Sequence, residues 1–333
     1  MKRITLFSAA VFVLFVPPLA GADALIIDHN DTDITGLTAA EIQEAKDTLH
    51  IAYGHTSHGS QITTGMSGLV GFANSGGKGL SLPTDTFQYN NGGTGGALDL
   101  HDYAMGGDVG YYPQWVDNTR AYLGAADPLT GMGTNNSDVN VIMWSWCGQV
   151  SGITEQGLID TYLTPMAQLE AEYFNVTFVY MTGHLDGSGT AGNLNQRNQQ
   201  IRDYVLANDK VLFDFADIES YDPNGLVNYM ALMANDNNDY DSDGNGSLDK
   251  NWARDWQNSH VEGVDWYNVE SAHSQALNAN LKAYAAWNMF VELADDNGNN
   301  AVPEPSSLVL LGTGLVGLLG RRLRRSREIL PYN

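Results

Sequence analysis

Cysteine is nearly absent from this chain of 333 residues, in which Cys147 is the only one. Because one thiol cannot form an internal disulfide, the fold must depend on its packed core, with a metal ion as the other available support. Basic residues are also scarce: 16 Lys and Arg stand against 39 Asp and Glu, which gives a formal net charge of −23. Such an acidic chain repels phosphate groups, so we expect neither nucleic acid nor an anionic membrane surface as a partner.

Apolar runs of near membrane length are missing from the middle of the sequence and occur only toward its ends. At the N-terminus, two basic residues precede the apolar run 4–16, and small residues follow at 20–22. This order predicts a secretory signal peptide over residues 1–22. A retained anchor helix is the alternative, although two consecutive prolines interrupt the run and it is short for a membrane span.

The C-terminal segment 301–327 combines three features. Pro303-Glu304-Pro305 is followed by an apolar run at 308–320 and then by five arginines: Arg321, Arg322, Arg324, Arg325 and Arg327. This order resembles the PEP-CTERM sorting signal of exosortase substrates in Gram-negative bacteria. The resemblance implies export to the cell surface or extracellular matrix, transient membrane insertion through the C-terminal helix, and processing by an exosortase-type enzyme. The arginines should keep their end cytoplasmic, and a permanent C-terminal anchor is the alternative.

Between these ends, residues 23–300 are predicted to form one α/β domain, because short apolar strands alternate with helical stretches. Such alternation indicates a parallel sheet with helices on both faces, and functional groups at the carboxyl ends of its strands. We predict the first strand at 51–53, a long loop with little regular structure at 75–110, and the last helix at 274–294. An acidic, loop-rich insertion is expected at 235–256.

A serine lies in a tight, glycine-bracketed turn directly after the strand at 51–53. The segment reads Tyr53-Gly54-His55-Thr56-Ser57-His58-Gly59. A sharp turn at the carboxyl end of a strand exposes a hydroxyl for attack and lets the following backbone N–H groups face an oxyanion. Ser57 is therefore the candidate nucleophile, and the flanking His55 and His58 are candidates for substrate binding. An ordinary Ser/Gly turn is the alternative.

A histidine near the C-terminal end of the domain is the candidate base. His273 precedes the last predicted helix, and Glu270 lies three residues before it. An acid at that spacing can orient the imidazole in one tautomer, so that His273 can accept the proton of Ser57. Asp265 is a second candidate for the orienting acid, and a core or capping role for His273 is the alternative.

This combination resembles the SGNH, or GDSL-type, hydrolase superfamily, whose serine follows the first strand and whose Asp-x-x-His motif precedes the last helix. The resemblance implies a three-layer, flavodoxin-like parallel sheet with helices on both faces, and an esterase activity. It also implies oxyanion-hole donors after the second and third strands, where the candidates are Gly107, Gly110 and Gln149. The sequence departs from the family pattern with Glu270 in place of aspartate and Cys147 in place of asparagine, so the resemblance implies a divergent branch.

An acidic segment has the spacing of a calcium-binding loop. Oxygen-bearing side chains recur at alternate positions around a central glycine: Asp241, Asp243, Asn245, Ser247 and Asp249. Trp252 stands at the twelfth position, where such loops carry a glutamate, so a further ligand has to come from elsewhere, with Asp255 as a candidate. The segment resembles an EF-hand-type loop and predicts a structural calcium ion. A solvated acidic loop is the alternative.

A further histidine follows the strand predicted at 176–181 and should reach the same sheet edge as the candidate serine. This residue, His184, is a candidate for substrate binding or for support of the site. Four histidines could in principle bind a transition metal together: His55, His58, His184 and His273. No pair of them has the spacing of metal ligands on a helix. Cys147 follows a buried strand and is predicted to be an inert thiol rather than a second nucleophile.

The predicted function is that of an exported serine esterase or acylhydrolase. Its predicted substrate is an acylated extracellular polysaccharide or a small ester, and catalysis needs no cofactor. A catalytically inactive SGNH-like carbohydrate-binding or matrix protein is one alternative, and a metal-dependent enzyme is another.

Overall fold

A computed structural model describes residues 24–299. The predicted signal peptide at 1–22 and the predicted sorting tail at 301–327 lie outside the described residues. Within the described part of the chain, seven strands form one sheet in which every neighbouring pair is parallel. The strands are β1 Leu25–Ile27, β2 His50–Gly54, β3 Tyr89–Asn90, β4 Leu98–Met105, β5 Val141–Trp144, β6 Thr177–Met181 and β7 Val211–Phe213.

The order of the strands across the sheet is β1-β7-β6-β5-β2-β4-β3. Without the two edge strands, the order is that of a doubly wound sheet. Strand β2 comes first along the chain, β4 lies on one side of it, and β5, β6 and β7 follow on the other side. The predicted three-layer, flavodoxin-like α/β fold is confirmed. The winding reverses between β2 and β5, and in such sheets ligands bind in the crevice at that point.

Helices cover both faces of the sheet. The long helix at residues 155–172 consists of two α-helical parts around one π-helical turn, Ile159–Leu163. The α-helices are α1 Ala39–Thr48, α2 Ser60–Asn74, α3 Gln114–Leu123, α4 Glu155–Leu158, α5 Thr164–Glu172, α6 Asn193–Ala207, α7 Phe215–Ile218, α8 Trp252–Ser259 and α9 Ala276–Asn299. Helices α1, α2, α8 and α9 pack on one face, and α3 to α6 pack on the other.

Successive residues of the central strands point to opposite sides, which divides the core into two layers. In β2, Ile51 and Tyr53 pack under α2 and α9, while Ala52 faces the opposite layer. In β5, Met143 belongs to the first layer and Trp144 to the second. All five side chains are fully buried, as expected for a parallel sheet that is covered on both faces.

Two parts of the sequence prediction were wrong. Strand β1 at Leu25–Ile27 precedes the predicted first strand, and β3 and β4 lie inside the segment 75–110 that was expected to be a long loop. Strand β1 has three residues and gives no periodicity signal. Strand β4 gives no clear strand signal in the sequence, because several of its side chains are polar and the surrounding glycines are typical of loops.

The acidic segment 235–256 contains more regular structure than a loop-rich insertion. Strand β8, Asp239–Tyr240, pairs antiparallel with β9, Lys250–Asn251, and the predicted calcium loop connects them. Helix α8 begins directly after β9. Among the helices that the structure describes, none is long and apolar enough to cross a membrane.

Candidate functional site

The structure brings Ser57 and His273 together at the carboxyl edge of the sheet. Ser57 lies in the turn between β2 and α2, and His273 lies just before α9. The Ser57 Oγ and the His273 Nε2 are 2.9 Å apart, which is hydrogen-bonding distance. Ser57 is half-buried and the imidazole of His273 is exposed, so both reactive atoms lie where a substrate can reach them.

Two glycines shape the turn that carries Ser57. A Cβ at Gly54 would lie 2.5 Å from the Trp144 ring, and one at Gly59 would lie 2.2 Å from the Ser145 Oγ. The backbone therefore passes closely over the end of β5, which only glycine permits. The Tyr53 hydroxyl donates to the Gly59 carbonyl at 3.1 Å and closes the turn from below.

The loop that carries His273 is held by two side-chain hydrogen bonds. His273 has a φ of 61°, a conformation that a residue other than glycine rarely adopts. The side-chain amide of Gln61 donates to the Ala272 carbonyl at 2.5 Å, and the Ser274 hydroxyl donates to Asn238 at 2.9 Å. Such contacts are what keep a strained backbone in place at a site.

The imidazole of His58 stacks on two other histidines. Its centroid is 3.7 Å from that of His184, with 3° between the planes, and 4.4 Å from that of His273, with 13° between the planes. The His58 Nε2 lies 3.1 Å from a carboxylate oxygen of Asp236, and its Nδ1 lies 3.3 Å from the Cys147 Sγ. The three imidazoles therefore form a nearly parallel stack beside Ser57.

The environment of His58 keeps its imidazole neutral and its neighbour Asp236 charged. Burial lowers the pKa of His58 below its ordinary value of 6.5, and the hydrogen bond to Asp236 opposes this shift without cancelling it. For Asp236, burial alone would raise the pKa, but the hydrogen bond with His58 and the attraction of His184 outweigh burial and lower it.

Neither predicted orienting acid reaches His273. Glu270 is exposed and forms no hydrogen bond or ion pair with another described residue. Asp265 accepts a hydrogen bond from the Val261 backbone N–H at 2.8 Å and stabilises a local turn. Asp236, by contrast, has a carboxylate oxygen within 4.8 Å of a His273 ring nitrogen. The sequence did not predict this contact, because Asp236 lies in a loop with no motif around it.

The predicted substrate-binding histidines have different surroundings. His55 is buried, and its Nε2 lies 2.6 Å from Asp102 while its Nδ1 donates to the Thr56 carbonyl at 2.9 Å. Both of its nitrogens are therefore occupied, and its ring packs against the exposed Tyr103, with 3.9 Å between the centroids and 41° between the planes. His58 and His184, by contrast, are part of the stack beside Ser57.

Two of the three predicted oxyanion donors are engaged elsewhere. Asp108 accepts hydrogen bonds from the Gly110 N–H at 3.0 Å and from the Gln149 amide at 2.9 Å. The only N–H of Gly110 is thus occupied, and Gln149 braces the loop that carries Asp108. Gly107 has a φ of 90° and open space beside its Cα, and among the described residues its N–H has no partner.

A transition metal does not fit the histidine cluster in this arrangement. Potential ligand atoms of His58, Asp236 and His273 lie within 4.8 Å of one another. Imidazole lone pairs lie in the ring plane, and a single ion cannot lie in the planes of two rings that are stacked face to face. Both rings would have to turn before they could bind the same ion.

The predicted calcium loop has suitable oxygen atoms, but they face the loop itself. The Asp241 carboxylate accepts backbone N–H groups from Gly244, Asn245 and Gly246 at 2.7 to 3.2 Å. The groups of three metal-ligating side chains that converge within the described chain do not include this loop. The oxygen-rich donor set suits calcium, so calcium binding here stays a prediction.

A buried ion pair lies beneath the loops of the site. The ammonium of Lys282, on α9, is 2.5 Å from the Glu219 carboxylate, and neither side chain is exposed. Lys282 also donates to Gln61, and Glu219 accepts the Leu185 backbone N–H at 2.8 Å. The pair thus connects the start of α2, the loop after β6 and the end of α7 to α9. Burial lowers the pKa of Lys282 to about 8.

One family comparison gives a match. Residues 301–325 match the PEP-CTERM protein-sorting motif. The protein is therefore exported and sorted by an exosortase, which places it at the cell surface of a Gram-negative bacterium. The match lies outside the described residues and concerns the tail, not the α/β domain. No curated protein and no solved structure matches the chain significantly.

Proposed function

We propose that the protein is an exported serine hydrolase that cleaves esters, with acylated polysaccharide as its substrate class. The observation that carries the proposal is the distance of 2.9 Å between the Ser57 Oγ and the His273 Nε2. The two residues are separated by 216 positions in the sequence, and the pair lies next to the crevice where a doubly wound sheet binds its ligands. The position of the serine and histidine along the chain is also similar to that in the SGNH hydrolase superfamily.

The proposed mechanism uses a covalent acyl-enzyme. The His273 Nε2 accepts the proton of the Ser57 hydroxyl while the oxygen attacks the ester carbonyl carbon. The tetrahedral intermediate collapses, the alcohol departs with the proton from the imidazolium, and the acyl group remains on Ser57. A water molecule, deprotonated by His273, then attacks the acyl-enzyme and releases the acid.

The oxyanion is expected to bind backbone N–H groups. Among the described residues, the N–H groups of Ser57 and Gly107 have no hydrogen-bond partner. Both belong to loops at the carboxyl edge of the sheet, after β2 and β4. Because these two N–H groups are free, we assign the oxyanion hole to them rather than to Gly110 or Gln149. Removing one such donor in a serine hydrolase lowers kcat by about 10²- to 10³-fold.

A binding protein without turnover is the second candidate. Two observations favour it: Asp108 occupies the Gly110 donor, and no carboxylate contacts the free nitrogen of His273 among the described residues. In that case the exposed tyrosines near the site, Tyr103, Tyr111 and Tyr112, would bind a sugar by stacking. Sugar binding without hydrolysis would distinguish this function from the first.

The test is hydrolysis of nitrophenyl acetate and acetylated polysaccharide by the purified protein and its Ser57→Ala variant. We expect Ser57→Ala to lower kcat by about 10³-fold or more. Ser75→Ala is the matched control, because Ser75 follows the far end of α2, roughly 22 Å from the site at 1.5 Å per residue. Full activity of Ser57→Ala would overturn the proposal.

A further inference from the structure

The imidazole of His273 lacks the partner that a catalytic histidine usually has. In a Ser–His–acid triad, the acid binds the second nitrogen, fixes the ring and stabilises the imidazolium. Here the Nε2 faces Ser57, and among the described residues the Nδ1 has no hydrogen-bond partner. The ring is also exposed, so it needs some other means of orientation.

The stack beside it supplies a rigid surface. One face of the His58 ring contacts His273, and the other contacts His184. The His184 Nδ1 donates to the Leu185 carbonyl at 2.8 Å, which fixes the third ring. Because the middle ring is buried and enclosed on both faces, it cannot tilt without displacing its neighbours.

Both nitrogens of His58 are also bound, which fixes its rotation within the stack. With Asp236 as a carboxylate acceptor, the proton of His58 lies on Nε2, and the Cys147 thiol donates to Nδ1. The side chain of Asp236 is 28 % exposed, so its charge is partly shielded from water. One of its oxygens lies within 4.8 Å of a His273 ring nitrogen.

We propose that His58 and Asp236 together replace the orienting acid of the Ser57–His273 pair. His58 positions the His273 ring by face-to-face stacking. Asp236 fixes His58 and supplies the negative charge that stabilises the imidazolium formed when Ser57 loses its proton. Both are positioning residues, and their catalytic role rests on the proposed hydrolase function.

The charged and titratable groups around His58 agree with this assignment. His184 and His273 face it across the stack, Cys147 and Asp236 lie at its edges, and Glu219 and Asp108 are further acids close enough to interact with its charge. A positive charge on His58 would repel one on His273, so the middle ring has to stay neutral for the base to become protonated. Burial of the His58 ring favours its neutral form.

The experiment combines imidazole NMR with kinetics. Asp236→Asn keeps an oxygen acceptor for His58 but removes the charge, and His58→Phe keeps a flat ring but loses both hydrogen bonds. We expect Asp236→Asn to shift the NMR signals of the His273 imidazole, because the negative charge beside the ring is removed. Both variants should lower kcat by about 10- to 10³-fold with little change in KM, and Asp236→Glu should restore part of it.

Two matched controls separate this role from general effects. Asp99→Asn removes a carboxylate that lies 2.8 Å from His50, at the opposite end of β2. His260→Phe replaces an imidazole that stacks on Trp256 at 3.6 Å, away from Ser57. Both controls should leave the NMR signals of the His273 imidazole and kcat unchanged.

The NMR result decides the inference even if the hydrolase proposal fails. Unchanged NMR signals of the His273 imidazole in folded Asp236→Asn, together with an unchanged ring environment in folded His58→Phe, would overturn it. If the wild-type protein hydrolyses no ester, the proposed function fails, but shifted His273 signals in these variants would still support the positioning. If Asp236→Asn does not fold, folded His58→Phe decides alone: a changed environment of the His273 ring supports the positioning, and an unchanged one overturns it.

Discussion

At the residue scale, the chemistry of the site depends on side chains that different loops bring together. Ser57 and His273 could be predicted because each has a recognisable local setting, a glycine-bracketed turn and a helix entrance. Asp236 could not, because nothing near it in the sequence indicates that it faces a histidine 178 positions away. His55 and His58 look alike in sequence, yet β2 and its turn direct the first toward Asp102 and the second into the stack.

The buried imidazole of His58 should make stability depend on pH. Its pKa in the folded protein is below the ordinary value of 6.5, which applies to the unfolded chain. Between these two pKa values, the unfolded chain binds a proton that the folded chain does not. Stability should therefore fall as the pH drops below 6.5, and this contribution should level off below the folded-state pKa. Calorimetric Tm values from about pH 8 to pH 5 test this.

In His58→Phe the decrease of Tm with falling pH should be less steep than in wild type. His260→Phe is the control, because His260 also stacks on an aromatic ring but lies outside the site. Equal slopes for wild type and His58→Phe would show that burial of this imidazole does not influence the stability of the protein.

At the element scale, helices α2 and α9 determine where the site forms. The α/β alternation could be predicted from apolar runs, because they are long in the central strands and in α9. Strand β4 could not, because the consecutive polar residues His101 and Asp102 break the apolar alternation in a segment surrounded by glycines. Its place beside β2 is decided by backbone pairing across the sheet, which no local pattern shows.

The contact between α2 and α9 depends on a glycine. A Cβ at Gly65 would lie 2.0 Å from the Ala279 carbonyl oxygen of α9. Gly65→Ala should therefore force the helices apart and destabilise the protein by about 1–3 kcal/mol or more. Denaturant unfolding measures the change.

Gly71→Ala is the control within the same helix, because no atom lies within 4 Å of its Cβ position. This substitution should stabilise the protein by about 0.5–1 kcal/mol, since alanine loses less backbone freedom in a helix than glycine. If both variants had the same stability, the close packing of α2 on α9 would be contradicted.

At the scale of the whole molecule, export and fold were the most predictable features. The sorting motif is contiguous in the sequence, and a doubly wound sheet follows from alternating elements. The fold does not specify the chemistry, because such sheets support many functions. The strong negative charge of the chain predicts that the domain avoids anionic surfaces.

The acidic loop at 241–249 should link the stability of the whole domain to calcium. Ion binding to the folded state alone raises Tm in proportion to the logarithm of the calcium concentration. We expect millimolar calcium to raise Tm and a chelator to reverse the rise, with magnesium as the control ion. The variant Asp241→Asn should lose the response. A Tm that is unaffected by calcium would show that the loop is a solvated acidic turn and does not bind the ion.

The central claim is that Ser57 is an activated nucleophile. Reaction of the full domain with a fluorophosphonate, followed by peptide mapping, measures this directly, because the serine oxygen displaces fluoride and retains the phosphonyl group. We expect one adduct, on the peptide that contains Ser57, and its loss in His273→Ala. An unlabelled protein, or labelling of Ser57 that persists at the same rate in His273→Ala, would contradict it.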